Sequence, residues 1–114
     1  MCIKMLREED IVNINKKFDK GRVVNKGSMN FVISNIKDTK LWTTQLAYIL
    51  RGLLIDHIFE EGNKRTALAI MLTYFEANNK AYDIYKTEKV ITTIILKNID
   101  SIEKIRRLIK DVSW

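Results

Sequence analysis

The chain has 114 residues, 46% of them hydrophobic and 30% charged, and carries a net charge of +6. That length supports one hydrophobic core without staples, and the composition is the ordinary balance of a soluble chain rather than that of a disordered one. Its single cysteine, Cys2, excludes an internal disulfide and a thiolate metal cluster, and fits a reducing cytoplasm.

The longest nearly unbroken apolar stretch, Ala67 to Phe75, is far shorter than the roughly 18 residues that span a bilayer. Lys4, Arg7, Glu8, Glu9 and Asp10 interrupt the start, so neither a membrane partner nor a secretory leader is expected. A cationic balance favours polyanionic partners in general. Here the basic residues are spread out, with Lys16-Lys17-Lys20-Arg22 and Lys104-Arg106-Arg107-Lys110 the local concentrations. That spread argues against a nucleic-acid partner.

No repeat, low-complexity tract or linker divides the sequence, so residues 1–114 are expected to form a single domain. A first helix is predicted from about Arg7. Glu8, Glu9 and Asp10 suit its positive end, Ile11, Ile14 and Phe18 recur at helical spacing, and it should stop before Gly21. Residues 19–27 carry two glycines and an asparagine around Val23-Val24 and read as a loop or short hairpin. Ser28 is a good N-cap for a second helix with Met29, Val32, Ile33 and Ile36 on one face.

The third helix is predicted from about Asp38 to Asp56, with Trp42, Leu46, Ile49, Leu50 and Leu53 in register. The fourth runs from about Asn63 to Asn78. Its apolar residues cover almost the whole circumference, which predicts a helix in the middle of the core. Ala81 to Lys86 reads as a short extended piece. Thr87 to Asn98 has strand-like residues, but the pairs Val90-Ile91 and Ile94-Ile95 are spaced by four, which favours helix. Asp100 is expected to cap a last helix with Glu103 three residues on and Ile102, Ile105 and Ile109 on one face. The sum is an all-α domain of about six helices with one short loop or hairpin.

The chemistry is concentrated in His57-Ile58-Phe59-Glu60-Glu61-Gly62-Asn63-Lys64-Arg65, the junction of two strongly predicted helices. Gly62 permits close approach of the backbone to a ligand. The first turn of the helix after it exposes unpaired N–H groups at the positive dipole end, an anion site to which Lys64 and Arg65 can add direct phosphate contacts. Two cations there conflict with the dipole, and a bound anion would remove the conflict. Glu60 and Glu61 offer hard oxygen ligands for Mg²⁺. His57, the chain's one histidine, is of the residue type most used as a general base near neutral pH. Phe59 is expected to point inward and anchor the loop. Singly, each residue has an ordinary surface or capping role; together they point to a phosphate-handling site.

This segment resembles the signature of the Fic/Doc (Fido) family, His-x-Phe-x-(Asp/Glu)-(Gly/Ala)-Asn-(Gly/Lys)-Arg. His57, Phe59, Glu61, Gly62, Asn63, Lys64 and Arg65 fill its defining positions. The likeness is strong from about Leu41 to Phe75, and Asn25-Lys26-Gly27-Ser28 is similar to family members as well. It implies a single Fic-fold helical domain that uses ATP and Mg²⁺ to modify a protein hydroxyl. By that resemblance His57 would activate the hydroxyl and Glu61 would hold Mg²⁺. Gly62 and Asn63 would shape the anion hole, and Lys64 and Arg65 would bind phosphates. Val23, Val24, Asn25, Lys26 and Gly27 would form a flap that aligns a target segment by main-chain pairing.

Many AMP-transferring members have glycine after the asparagine and a second arginine three residues past the first, where this chain has Lys64 and Leu68. Lys64, and Ile58 in place of the usual proline, are similar to the Doc (death-on-curing) branch. That branch transfers the ATP γ-phosphate to a protein and is the toxin of a toxin–antitoxin pair. The resemblance therefore implies phosphate transfer to a Ser/Thr hydroxyl, with AMP transfer as the alternative. No internal inhibitory Ser/Thr-x-x-x-Glu-(Gly/Asn) segment is visible, which implies control by a separate antitoxin protein. A non-catalytic basic helical binding module is the reading from another class.

Overall fold

Arg7 begins the ordered helices: Asp10 Oδ2 accepts its backbone N–H at 2.9 Å, and Glu8, Glu9 and Asp10 put negative charge on the first turn of α1 (Glu8–Asn15). The computed structural model describes residues 6–114; Cys2 and Lys4 lie outside the described residues. Five further helices follow: α2 (Lys26–Asp38), α3 (Trp42–Leu54), α4 (Asn63–Ala77), α5 (Ile84–Leu96) and α6 (Ile102–Asp111). Among the described residues extended pairing is limited to two isolated bridges, Val23 with Phe59 and Tyr82 with Ser113. The all-α expectation holds, and the 90/91 and 94/95 pairs are helical. No helix among the described residues is long and apolar enough to cross a membrane.

Several helix ends differ from the sequence expectation because a neighbouring residue makes the better cap. The second helix starts at Lys26 rather than after Ser28, since Asn25 Oδ1 accepts the Ser28 N–H at 3.1 Å. Asp83 Oδ1 accepts the N–H groups of Tyr85 and Lys86 at 2.9 and 3.1 Å, so α5 begins ahead of Thr87 and shortens the extended piece. Ser101, not Asp100, caps α6, its Oγ accepting the Lys104 N–H at 3.3 Å. Glu103 turns instead to Arg106, 3.0 Å away. At the start of α3, Gln45 Nε2 donates to the Thr39 carbonyl at 2.8 Å, and this holds residues 39–41 out of the helix expected to begin at Asp38.

The central element is α3, which packs against α2, α4, α5 and α6. Leu46, Ala47, Ile49, Leu50 and Leu53 are wholly buried along it. The expectation that α4 occupies the middle is corrected. Ala67, Ile70, Met71, Tyr74 and Phe75 are buried, but Leu68 and Leu72 are only partly so, and Thr73 and Glu76 face solvent. The apolar residues on its remaining face lie at the edge of the core. Inside, Tyr74 donates its hydroxyl to Gln45 Oε1 at 3.0 Å, and burial raises the phenol pKa, keeping it a donor.

Gly52 is where α3 meets both α2 and the loop leading into α4. A Cβ there would lie 2.7 Å from Val32 Cγ2 and 2.8 Å from Ile58 Cδ1. Overpacking of this kind costs about 1–3 kcal/mol. That outweighs the roughly 1 kcal/mol alanine gains over glycine in a helix. Gly52→Ala is therefore expected to lower the urea midpoint at unchanged m-value. A midpoint at or above the parent's would show that Val32 and Ile58 yield without strain.

Candidate functional site

The segment joining α3 to α4 alternates between core and solvent in a way its side chains dictate. Ile58 and Phe59 are each 1% exposed, while His57, Glu60 and Glu61 are exposed. A turn of the backbone immediately precedes these two buried residues. His57 supplies it with φ of +54°, a left-handed conformation seldom adopted by residues other than glycine. The Ile58 N–H donates to the Gly52 carbonyl at 3.2 Å and ties the loop back onto α3.

Asn63 then grips the loop from the far side. Its Oδ1 accepts the Phe59 N–H at 3.1 Å and its Nδ2 donates to the Phe59 carbonyl at 2.9 Å. Its side chain thus holds loop backbone. Gly62 is left-handed at φ +78°, and an added Cβ would sit 3.0 Å from Asn15 Nδ2. Only glycine meets both conditions without strain.

The first turn of α4 has no side-chain cap and no acidic residue. The N–H groups of Asn63, Lys64 and Arg65 have no hydrogen-bond partner among the described residues; the Thr66 N–H is the first to bond back, to the Gly62 carbonyl at 2.9 Å. Lys64 and Arg65 are exposed and form no ion pair among the described residues. Unpaired donors and cations meeting at a positive helix end make a strong local anion attractor.

These groups open onto a cavity of about 460 Å³. Its polar wall holds His57, Glu61, Gly62, Asn63, Lys64 and Arg65, and Asp19 also reaches it; Phe18, Leu53, Leu54 and Ile95 form an apolar wall. An apolar cleft with few convergent polar groups is the usual form of a small-molecule site. Glu60 lies outside it and faces Arg22 at 3.9 Å, so of the two carboxylates expected to serve a metal only Glu61 lines the cavity. No group of three or more His, Cys, Asp or Glu is arranged to hold a metal ion among the described residues. Glu61 and Asp19 suit a Mg²⁺ that takes its remaining ligands from phosphate and water, and they do not make a protein-only cage.

The loop read as a flap lies against the motif. Val24 N–H donates to the Ile58 carbonyl at 2.8 Å, and Glu60 N–H to the Arg22 carbonyl at 3.0 Å. In an antiparallel bridge of this kind the Val23 N–H and C=O point away from Phe59, and they are unpaired among the described residues. Lys26 and Gly27 do not belong to this strip: they form the first turn of α2. Asn25 Nδ2 donates to the Asp56 carbonyl at 3.0 Å and Ser28 Oγ to Asp56 Oδ2 at 3.0 Å, which fastens the strip's far end beside His57.

Reading of the sequence missed the apolar wall and Asn15. The latter is wholly buried, donating from Nδ2 to the Glu61 carbonyl and Thr66 Oγ1, each at 3.0 Å, and accepting the Gly21 N–H at 2.8 Å. Its signal was available: Asn15 stands four residues after the buried Ile11, a polar side chain on the buried stripe of α1. Neither the family models, the curated proteins nor the solved structures compared with this chain match it.

Asn63→Ala removes both bonds to the Phe59 backbone, an expected loss of about 1–3 kcal/mol. Amide hydrogen exchange should accelerate at Phe59, Glu60 and Val24. Unchanged exchange there would show that burial of Ile58 and Phe59 alone holds the loop.

Proposed function

We propose that this chain is a nucleotide-dependent modifier of proteins that moves the ATP γ-phosphoryl group onto a Ser/Thr hydroxyl, in the manner of the Doc branch it resembles. The supporting observation is that His57, Glu61, Lys64, Arg65 and the uncapped start of α4 share one cavity. In this reading the His57 imidazole accepts the proton of the target hydroxyl. The hydroxyl oxygen bonds to the γ-phosphorus, the bond from that phosphorus to the β–γ bridging oxygen breaks, and ADP leaves with the electron pair. The free N–H groups of α4, with Lys64 and Arg65, bind and orient the phosphates. Mg²⁺, when bound with the nucleotide, supplies further charge neutralisation, and Glu61 is the residue that would hold it.

Transfer of phosphate rather than AMP rests on the resemblance at Lys64 and on Leu68. Three residues past Arg65, the α4 face presents the partly buried Leu68, an apolar side chain where AMP-transferring relatives use a second cation. The strip at Val23 would align the target segment through its free main-chain groups. A separate antitoxin protein as regulator and a cytoplasmic setting belong to the same proposal.

The test incubates the protein and His57→Ala in lysate with Mg²⁺ and ATP labelled at either the α or the γ phosphate. Label should enter protein from the γ position alone, and His57→Ala should lower it by about 10²–10⁴-fold. Label from the α position would replace this reading with AMP transfer. No label from either, or label indifferent to His57→Ala, would remove it.

A further inference from the structure

We propose that Asn15 is a positioning residue: its buried side chain orients the Glu61–Gly62 peptide so that the Gly62 N–H is presented to the cavity as an anion donor. The proposal rests on the phosphate-binding reading of the cavity, and it names the residue outside the motif on which that binding depends.

The geometry starts from the pairing of residues 22–24 with 58–60. That antiparallel ladder ends where the Glu60 N–H donates to the Arg22 carbonyl. One step further, Gly21 and Glu61 stand opposite each other as a pair that the antiparallel alternation leaves without a direct bond. The amide of Asn15 stands between them, with Oδ1 accepting the Gly21 N–H at 2.8 Å and Nδ2 donating to the Glu61 carbonyl at 3.0 Å. A carboxamide offers the same donor and acceptor as a peptide, so the side chain bridges two backbone groups that do not bond each other. Its second N–H goes to Thr66 Oγ1 at 3.0 Å, which leaves no amide proton of Asn15 unpaired.

The consequence for the site comes from peptide planarity. The C=O and N–H of a trans peptide point in opposite directions. With the Glu61 carbonyl drawn inward to Asn15, the Gly62 N–H is turned the other way, toward the cavity that Gly62 lines. It has no partner among the described residues and joins the free N–H groups of the α4 first turn. A lost Nδ2 donor would free this peptide to rotate, and the left-handed Gly62 offers little steric resistance to that rotation.

The experiment follows the Gly62 amide in ¹⁵N–¹H spectra of the full chain during titration with inorganic triphosphate, which needs no transfer activity. In the parent the resonance should move downfield and saturate. Asn15→Ala should need at least about 10-fold more triphosphate for the same movement. Thr66→Val, which removes Asn15's other partner but leaves the Glu61 bond, should follow the parent. In lysate with γ-labelled ATP, Asn15→Ala should lower the labelling rate by about 10²-fold, and Thr66→Val should stay within about two-fold of the parent.

If Asn15→Ala does not fold, Asn15→Asp decides by the same criterion, since it keeps the shape and an acceptor for Gly21. A folded variant whose Gly62 amide titrates like the parent's overturns the proposal. So does a parent Gly62 amide that ignores triphosphate, failure of both variants to fold, or a Thr66→Val response as weak as that of Asn15→Ala. A Gly62 amide that responds as expected in a parent that labels nothing in lysate would leave this proposal standing and remove only the transfer activity.

Discussion

Insertion of Ile58 and Phe59, from the segment joining α3 to α4, into the core is the constraint around which the rest of the site is arranged. Both are 1% exposed, and burying such side chains stabilises by about 1.5–3 kcal/mol each. A left-handed non-glycine residue costs about 1–3 kcal/mol, which burial of this size offsets at the +54° φ of His57. The same insertion turns His57 and Glu61 outward to the cavity, and it puts the Phe59 backbone where Asn63 can hold it. Gly52 is the clearance that makes this depth of insertion possible.

The helix starts among the described residues are closed in different ways. The N-termini of α2, α5 and α6 are closed by Asn25, Asp83 and Ser101, and α1 carries three acidic residues in its first turn. Each obeys the rule that a positive helix end wants an oxygen or a negative charge. Neither α3 nor α4 has a side-chain cap or an acidic first turn, and α4 differs from α3 in carrying Lys64 and Arg65 there. Elsewhere the polar interior is closely matched: no buried side-chain nitrogen or oxygen among the described residues lacks a partner. At α4 the cations and unpaired N–H groups meet at the cavity edge, at a positive helix end.

Most of the fold was legible in the sequence because helical periodicity is a local signal. The apolar spacing on α3 and the pairs in α5 pointed to the right faces. Cap choice was less legible, since Asn25 and Ser28, or Asp100 and Ser101, are chemically near-equal and the surrounding structure selects between them. Asn25 was selected partly by its bond to Asp56, 31 residues away. The position of α4 was misread because an apolar circumference reports hydrophobicity and not which side meets a neighbour. Within the site, the motif residues on the cavity's polar wall were legible as a contiguous run. Leu53, Leu54 and Ile95 were not, because their role depends on how three helices converge.

The nine residues from His57 to Arg65 are continuous in the chain, yet they are not an independent structural unit. The two bonds that Asn15 donates reach across 46 and 51 residues, and each closes a loop whose entropy only the packed domain can offset. A fragment beginning at α2 would carry the whole motif and still lack the side chain that holds the Glu61 carbonyl. Transplanting the motif onto another helix–loop–helix would fail for the same reason unless the first helix travelled with it. The smallest portable form of this site is therefore defined by spatial support, and it reaches back at least to α1.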